Sequence, residues 1–204
     1  METNVNEYGQ MNFNLPHDVV KLPSGGIFYP SKKKSVKVGY LTANDENILV
    51  NMDSRKTIKE SIVLPLLRNK IYEPDLRPED LTDGDIEAIL IFLRNTAFGT
   101  EYSASVTDPS TNKKFEITID LGELYLKKPQ VNPDNDGTFT TILPKTNATV
   151  KLRPLTYNDE LEITKMADSY PAGRVAPKST WKLMKQIVEI NGQQDKETIS
   201  KFID

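Results

Sequence analysis

The stretch K-L-P-S-G-G-I-F-Y-P-S-K-K-K (21–34) sets a serine, two glycines and three lysines around an aromatic pair, a combination that could cradle a phosphate. Such a site needs backbone N–H groups converging on the anion at a helix N-terminus, which is what a G-x-x-x-x-G-K-[ST] loop supplies. Here Gly25 and Gly26 are adjacent, and Ile27-Phe28-Tyr29 reads as extended chain running on toward a strand. No helix closes the site, and the dinucleotide fingerprint fails on the same ground. The stretch reads instead as a tight turn that presents Ile27, Phe28 and Tyr29 as a docking edge. Lys32, Lys33 and Lys34 are its solvated flank.

Other chemistry is limited by what the chain lacks. It has no cysteine and one histidine, His17, which removes disulfides, thiol nucleophiles, thiolate zinc sites and most histidine-based triads together. N-P-D-N-D-G-T (132–138) imitates part of a calcium loop through Asp134, Asn135 and Asp136. The later bidentate glutamate and the flanking helices are missing, so it reads as a turn. Nucleic-acid binding calls for clustered cations with stacking aromatics, and Tyr29 beside Lys32–Lys34 is a single such neighbourhood. The formal net charge of -3 adds no general attraction toward polyanions. No catalytic residue, metal or cofactor is assigned.

The remaining acids are explained by the elements they begin. V-K-V-G-Y-L-T-A-N-D-E-N-I-L (36–49) recurs without a gap as V-K-L-R-P-L-T-Y-N-D-E-L-E-I (150–163), and L-T-D-G-D-I-E-A-I-L from Leu81 is a shorter echo. In each copy a threonine is followed three residues later by an aspartate, a close variant of the capping box. The hydroxyl accepts from an orphan backbone N–H, and the acid sits at the positive end of the helix. Asp45, Glu46, Asp159 and Glu160 are therefore expected as helix starts. The repeat itself implies two related strand–helix units.

Period-2 alternation predicts a strand over 35–40. A helical stretch over 57–71 is divided or kinked by Pro65. The strongest helix covers 83–99, with Ile86, Ile89, Leu90 and Leu93 on one side and Gly99 as its stop. In a hairpin over 101–121, Tyr102, Ala104 and Val106 alternate on one strand and Phe115, Ile117, Ile119 and Leu121 on the return, around the polar tip Asp108–Lys114. The second half opens with extended segments at 138–143 and 148–155, followed by helices at 158–169 and 180–190. The sequence thus divides into an arm (1–18), an α+β unit holding the hairpin (19–126), a linker (127–137) and a second α+β unit (138–204). A last helix starts at Asp195 and stops after barely two turns, too short to be stable alone, so it packs on something or the natural chain continues.

Hydrophobic residues are 37% and charged residues 27% of the 204, a globular composition. No apolar run approaches the ~20 residues that span a bilayer.

The order L-P-S-G-G-I-F-Y-P, L-T-A-N-D-E-N-I-L, D-L-T-D-G-D-I-E-A-I-L-I-F-L-R-N-T-A-F-G-T-E-Y and F-E-I-T-I-D-L-G-E-L resembles the baseplate hub and hub-assembly proteins of T-even-type contractile-tailed phages. The resemblance runs over about 20–126 and more loosely over 148–204. It implies an α+β fold of two related strand–helix units with a central β-hairpin, zinc-ribbon-like in that family. Family members commonly carry a Cys-x-x-Cys knuckle at the hairpin tip. Here Asp108 and Thr111 stand at those positions, so zinc is not supported. A non-enzymatic role follows from the resemblance: a structural or chaperone-like component bound to other tail and baseplate proteins in a hetero-oligomeric, symmetric assembly. It would reside in the virion tail or act in the host cytoplasm during assembly. The residues expected to touch partners are Ile27, Phe28, Tyr29, Asp108, Thr111, Lys113 and Trp181. The alternative is a nucleic-acid-binding or packaging-associated adaptor working through Lys32–Lys34 and Tyr29.

Overall fold

The structure, a computed structural model, describes residues 16–50, 57–125 and 131–203. Over those residues six α-helices and seven strands form an α+β fold, with the strands in three small antiparallel sheets. Strands β1 (His17–Lys21) and β2 (Ser35–Gly39) pair from His17 opposite Gly39 to Lys21 opposite Ser35. Alternation turns Val20, Val36 and Val38 inward. The expected arm lies outside the described residues as far as position 15, and His17 and Asp18 belong to β1.

Between β1 and β2 the chain does not run extended through Ile27-Phe28-Tyr29. It turns three times: the N–H of Gly25 bonds the Leu22 carbonyl (2.9 Å), that of Tyr29 the Gly26 carbonyl (3.2 Å) and that of Lys32 the Tyr29 carbonyl (3.0 Å). Gly25 and Gly26 make this possible with φ of +63° and +72°. A Cβ on Gly26 would stand 1.9 Å from the Lys33 carbonyl oxygen, so the loop folds back on itself only with glycine there.

Helix α1 (Ala43–Val50) follows β2. The stretch around Pro65 is a π turn at Lys59–Val63 running into α2 (Leu64–Lys70), and the N–H of Leu64 reaches back to the Lys59 carbonyl. Proline has no N–H for the carbonyl four residues before it, and the preceding turn widens to compensate. Helix α3 (Asp83–Phe98) buries Ile86, Ile89 and Leu93, and ends where the Gly99 N–H bonds the Asn95 carbonyl. Strands β3 (Glu101–Thr107) and β4 (Lys114–Asp120) form the hairpin, closed by a 3-10 turn at Leu121–Glu123.

The second half contains β5 (Phe139–Ile142), β6 (Thr149–Leu152), α4 (Tyr157–Asp168), α5 (Lys178–Gln186), β7 (Ile187–Ile190) and α6 (Lys196–Ile203). The expected helix over 180–190 is corrected here: it begins at Lys178 and ends at Gln186, and the next four residues are a strand. Ile187-Val188-Glu189-Ile190 is dominated by β-branched side chains, which favour a pleated surface. Pairing with β6 buries Ile187 and Ile190 beside Val150 and sets Glu189 opposite Lys151.

A large core joins Val36, Val38, Leu67, Leu81, Ile89 and Leu93 to Tyr157 and Leu161 of α4. A smaller one holds Val150, Ile187, Ile190 and Ile199, so α6 is anchored through Ile199. Thr82 and Thr156 face each other across an isolated antiparallel bridge, and the Tyr157 N–H donates to the Leu81 carbonyl (2.8 Å). Two of the three repeated Leu-Thr segments thus lie side by side and tie the halves together.

Candidate functional site

The three repeated aspartates are buried: Asp45 is 2%, Asp85 0% and Asp159 5% exposed. Each begins a helix and also holds a second element. Asp45 accepts from the Thr42 N–H and hydroxyl (both 2.7 Å) and pairs with buried Lys70 at 2.5 Å. Burial pushes its carboxyl up, but Lys70 and Thr42 together outweigh that and hold it below its ordinary value. Asp159 completes a capping box with Thr156, accepts two bonds from Arg153 (2.7 and 3.0 Å), and takes a third from Lys185 (3.2 Å). Burial again opposes ionisation there, and Arg153 with the Thr156 N–H keeps the carboxyl far below the usual range.

Asp85 departs from the pattern. The Thr82 N–H donates to the Tyr29 phenol oxygen (3.0 Å), and the Tyr29 hydroxyl donates in turn to Asp85. Asp85 also accepts from the Ser24 N–H (2.8 Å) and hydroxyl (2.5 Å). A phenol has been inserted into the capping box as a relay, and the glycine loop is held to the start of α3 by it. Burial first, then the bond to Asp85, push the Tyr29 phenol up to about 12. All three acids are engaged by donors inside the fold, but the expected hydroxyl cap forms only at Thr156: Thr82 makes no side-chain cap bond, and the Thr42 hydroxyl donates to Asp45 while the Asp45 N–H bonds the Thr42 carbonyl (2.9 Å).

Of the loop residues expected at an edge, Tyr29 is 2% exposed and points inward, while Ile27 and Phe28 are half-buried. The Phe28 ring meets Phe139 with centroids 5.9 Å apart. Gly137 passes close beneath the loop, where a Cβ would lie 2.7 Å from the Ile27 carbonyl oxygen. The lysine flank is largely engaged: Lys33 pairs with Glu73 and with Asp75 (2.5 Å), and Lys32 donates to the Ile27 carbonyl (2.6 Å). The N-P-D-N-D-G-T segment is a turn, in which Asp136 accepts from Thr138 and from Lys151 (2.6 Å).

Trp181 stands in an open cleft of about 550 Å³ between α4, α5, β7 and α6, lined by Met166, Trp181, Met184, Ile187 and Ile199 with Arg153 at one side. Tyr170 supports the indole edge-on, with centroids 5.7 Å apart. Met166 and Met184 are 44% and 41% exposed. Helix α5 is held over α4 by Lys182–Glu160 (2.7 Å) and Lys185–Glu162 (2.6 Å), which leaves its apolar stripe facing the cleft. Phe28 lines a smaller recess that shares Arg153 and Val188 with this cleft, so the loop and Trp181 occupy neighbouring hollows. The methionines are the contribution that sequence reading missed; their signal was the helical spacing of Trp181 and Met184 against Lys178, Lys182 and Lys185.

The hairpin stands apart from both cores. Val106 faces Phe115, Ala104 faces Ile117 and Tyr102 faces Ile119, so the apolar alternation is as expected. Yet Tyr102, Phe115 and Ile119 remain exposed, and Arg94 lies over the Tyr102 ring. At the tip Asp108 accepts from the Ser110 N–H (2.8 Å), the Ser110 hydroxyl (2.6 Å) and the Thr111 hydroxyl (2.6 Å). These bonds close the knuckle, the Ser110 and Thr111 hydroxyls foremost, and they pull the Asp108 carboxyl down to about 2. Thr111 and Lys113 are exposed. Among the described residues no three His, Cys, Asp or Glu side chains gather as metal ligands, and no helix is long and apolar enough to cross a membrane.

The family model of the T4 bacteriophage base plate protein matches residues 26–194. The chain belongs to that family. The match begins inside the glycine loop and spans all three Leu-Thr-x-x-Asp segments, the hairpin and most of the cleft, so this baseplate protein carries its family likeness through the elements just described. Neither the curated proteins nor the solved structures compared with it gave a match.

Proposed function

We propose that this baseplate protein is a non-enzymatic structural or assembly component of the hub, acting through contacts with other tail proteins in a hetero-oligomeric, symmetric assembly. The observation that carries the reading is the cleft around Trp181. An apolar hollow with a rigid indole and two adaptable methionines open to solvent has the composition of an interface anchor. Ile27 and Phe28 at the neighbouring recess, and Asp108, Thr111 and Lys113 at the hairpin tip, are further contact points, with Tyr29 bracing the loop from within. The engaged carboxylates support a role outside catalysis. A nucleic-acid adaptor would lean on Lys32–Lys34, two of which are tied to groups of the same chain. The protein would act in the virion tail, or in the host cytoplasm while the tail is built.

Met184→Glu places a charge on the open wall of the cleft without touching either core. Infection complemented with that variant is expected to yield few completed tails, while the purified variant keeps its circular dichroism and thermal midpoint. Tail yield equal to that of the unaltered protein would overturn the proposal.

A further inference from the structure

Strand β4 is a long, uninterrupted sheet edge whose guard is its three charged residues, Lys114, Glu116 and Asp120. It is seven residues long, pairs with β3 along its whole length, contains no proline or glycine, and six of its seven residues are exposed. Sheet edges are normally shortened, kinked, charged or covered, because their unpaired N–H and C=O groups template another strand. Two bonds fix which groups these are. The Asp108 N–H donates to the Lys113 carbonyl at the tip, and the Leu121 N–H donates to the Thr100 carbonyl at the base. Antiparallel rows alternate between bonded and non-bonded pairs. The odd-numbered residues of β4 therefore bond inward to β3, and Lys114, Glu116, Thr118 and Asp120 direct their backbone groups outward.

The segment K-F-E-I-T-I-D is its own antiparallel complement. A two-fold axis at Ile117 sets Lys114 opposite Asp120 of a second copy, Phe115 opposite Ile119, Glu116 opposite Thr118, and Ile117 opposite itself. Apolar residues then meet apolar residues on one face, and each lysine meets an aspartate on the other. The backbone groups that would bond in this register are the ones that point outward. Strand β3 offers no such match: the same operation about Ala104 sets Glu101 against Thr107 and pairs no charges.

A second observation leads to the same register. Glu101 and Asp120 stand directly opposite each other within the hairpin, a like-charge pair that costs stability. Among the described residues neither carboxylate has an ion-pair partner, and Lys114 at the far end of the strand has none either. The two-fold pairing delivers that lysine to those carboxylates at both ends.

We propose that a second copy of this chain docks along β4, antiparallel and centred on Ile117. The product is a four-stranded sheet in which the exposed Tyr102, Phe115 and Ile119 of the two copies form one continuous apolar face. The inference needs only the purified protein and does not rest on the baseplate reading. One strand pair buries far less than the ~1,600 Å² of a standard interface, so the dimer is weak, on the order of micromolar or weaker.

Sedimentation equilibrium of the full chain at about 10–500 μM is expected to show a monomer–dimer equilibrium. Thr118→Pro removes an outward N–H that β3 does not use, so the hairpin survives and dimerisation falls at least about ten-fold. Lys114→Asp and Asp120→Lys each set like charges opposite one another at both ends, and each alone is expected to weaken self-association about ten-fold. Mixed together, the two variants restore both opposite-charge pairs and associate as tightly as the unaltered chain. A protein that stays monomeric over the whole range, a dimer that Thr118→Pro leaves intact, or a mixture that associates no better than its components overturns the proposal.

Discussion

At the scale of single residues, the fold is governed by where three buried carboxylates find their donors. Asp85→Ala would orphan the Ser24 N–H, the Ser24 hydroxyl and the Tyr29 hydroxyl at once, and is expected to cost about 3 kcal/mol in urea unfolding. Tyr29→Phe breaks only the relay and should cost about 1–2 kcal/mol. Equal losses in the two variants would contradict the relay. The spacing Leu-Thr-x-x-Asp made the three helix starts legible, and the full capping box it predicts forms at Thr156 and Asp159. The phenol in the middle copy was not legible, because Tyr29 lies 53 residues from Thr82 and no local pattern joins them. Asp108 offers a separate check. Its folded value of about 2 lies below the ordinary 3.8, so its contribution to the tip is complete above about pH 4 and is lost as the pH falls through 2. A carboxyl titration followed by NMR should place its midpoint near 2; a midpoint near 3.8 would mean the tip bonds do not hold in solution.

At the scale of elements, the starts of helices were more legible than their ends. Thr156 and Asp159 announced α4, and both act there, but with different weight. Thr156→Ala loses a cap and should cost about 1 kcal/mol. Asp159→Ala also strips Arg153 of its partner, leaves Lys185 with Glu162 alone, and should cost about 3 kcal/mol. Thermal or urea unfolding of the two variants distinguishes a cap from a cap that also latches β6 and α5. The end of α5 was misread because Trp181, Met184, Ile187 and Val188 fit a helical stripe as well as they fit a helix followed by a strand. What decides between them is the open side of β6, a tertiary fact that no window of ten residues contains. The hairpin shows the converse: the apolar face of each strand was readable from alternation, but its lack of a covering layer was not.

At the scale of the whole molecule, two cores of unequal size set an order of stability. The small core of Val150, Ile187, Ile190 and Ile199 holds a three-stranded sheet and α6, while the large core joins both halves through Tyr157 and Leu161. Hydrogen exchange should find the amides of β6 and β7 opening at lower free energy than those of β2 and α3. Uniform protection would mean that the two cores unfold as one. The same unevenness leaves the cleft beside the small core open and Met-lined. The family order was visible in the sequence as a succession of segments, whereas the cleft exists only after α4, α5 and α6 have packed. The most direct measurement is quantitative mass spectrometry of tails and tail intermediates purified from infected cells. This chain is expected in hub-containing particles at a fixed ratio to their other proteins, and is expected to be lost from them with Met184→Glu. A chain that fractionates apart from every tail intermediate would contradict that expectation.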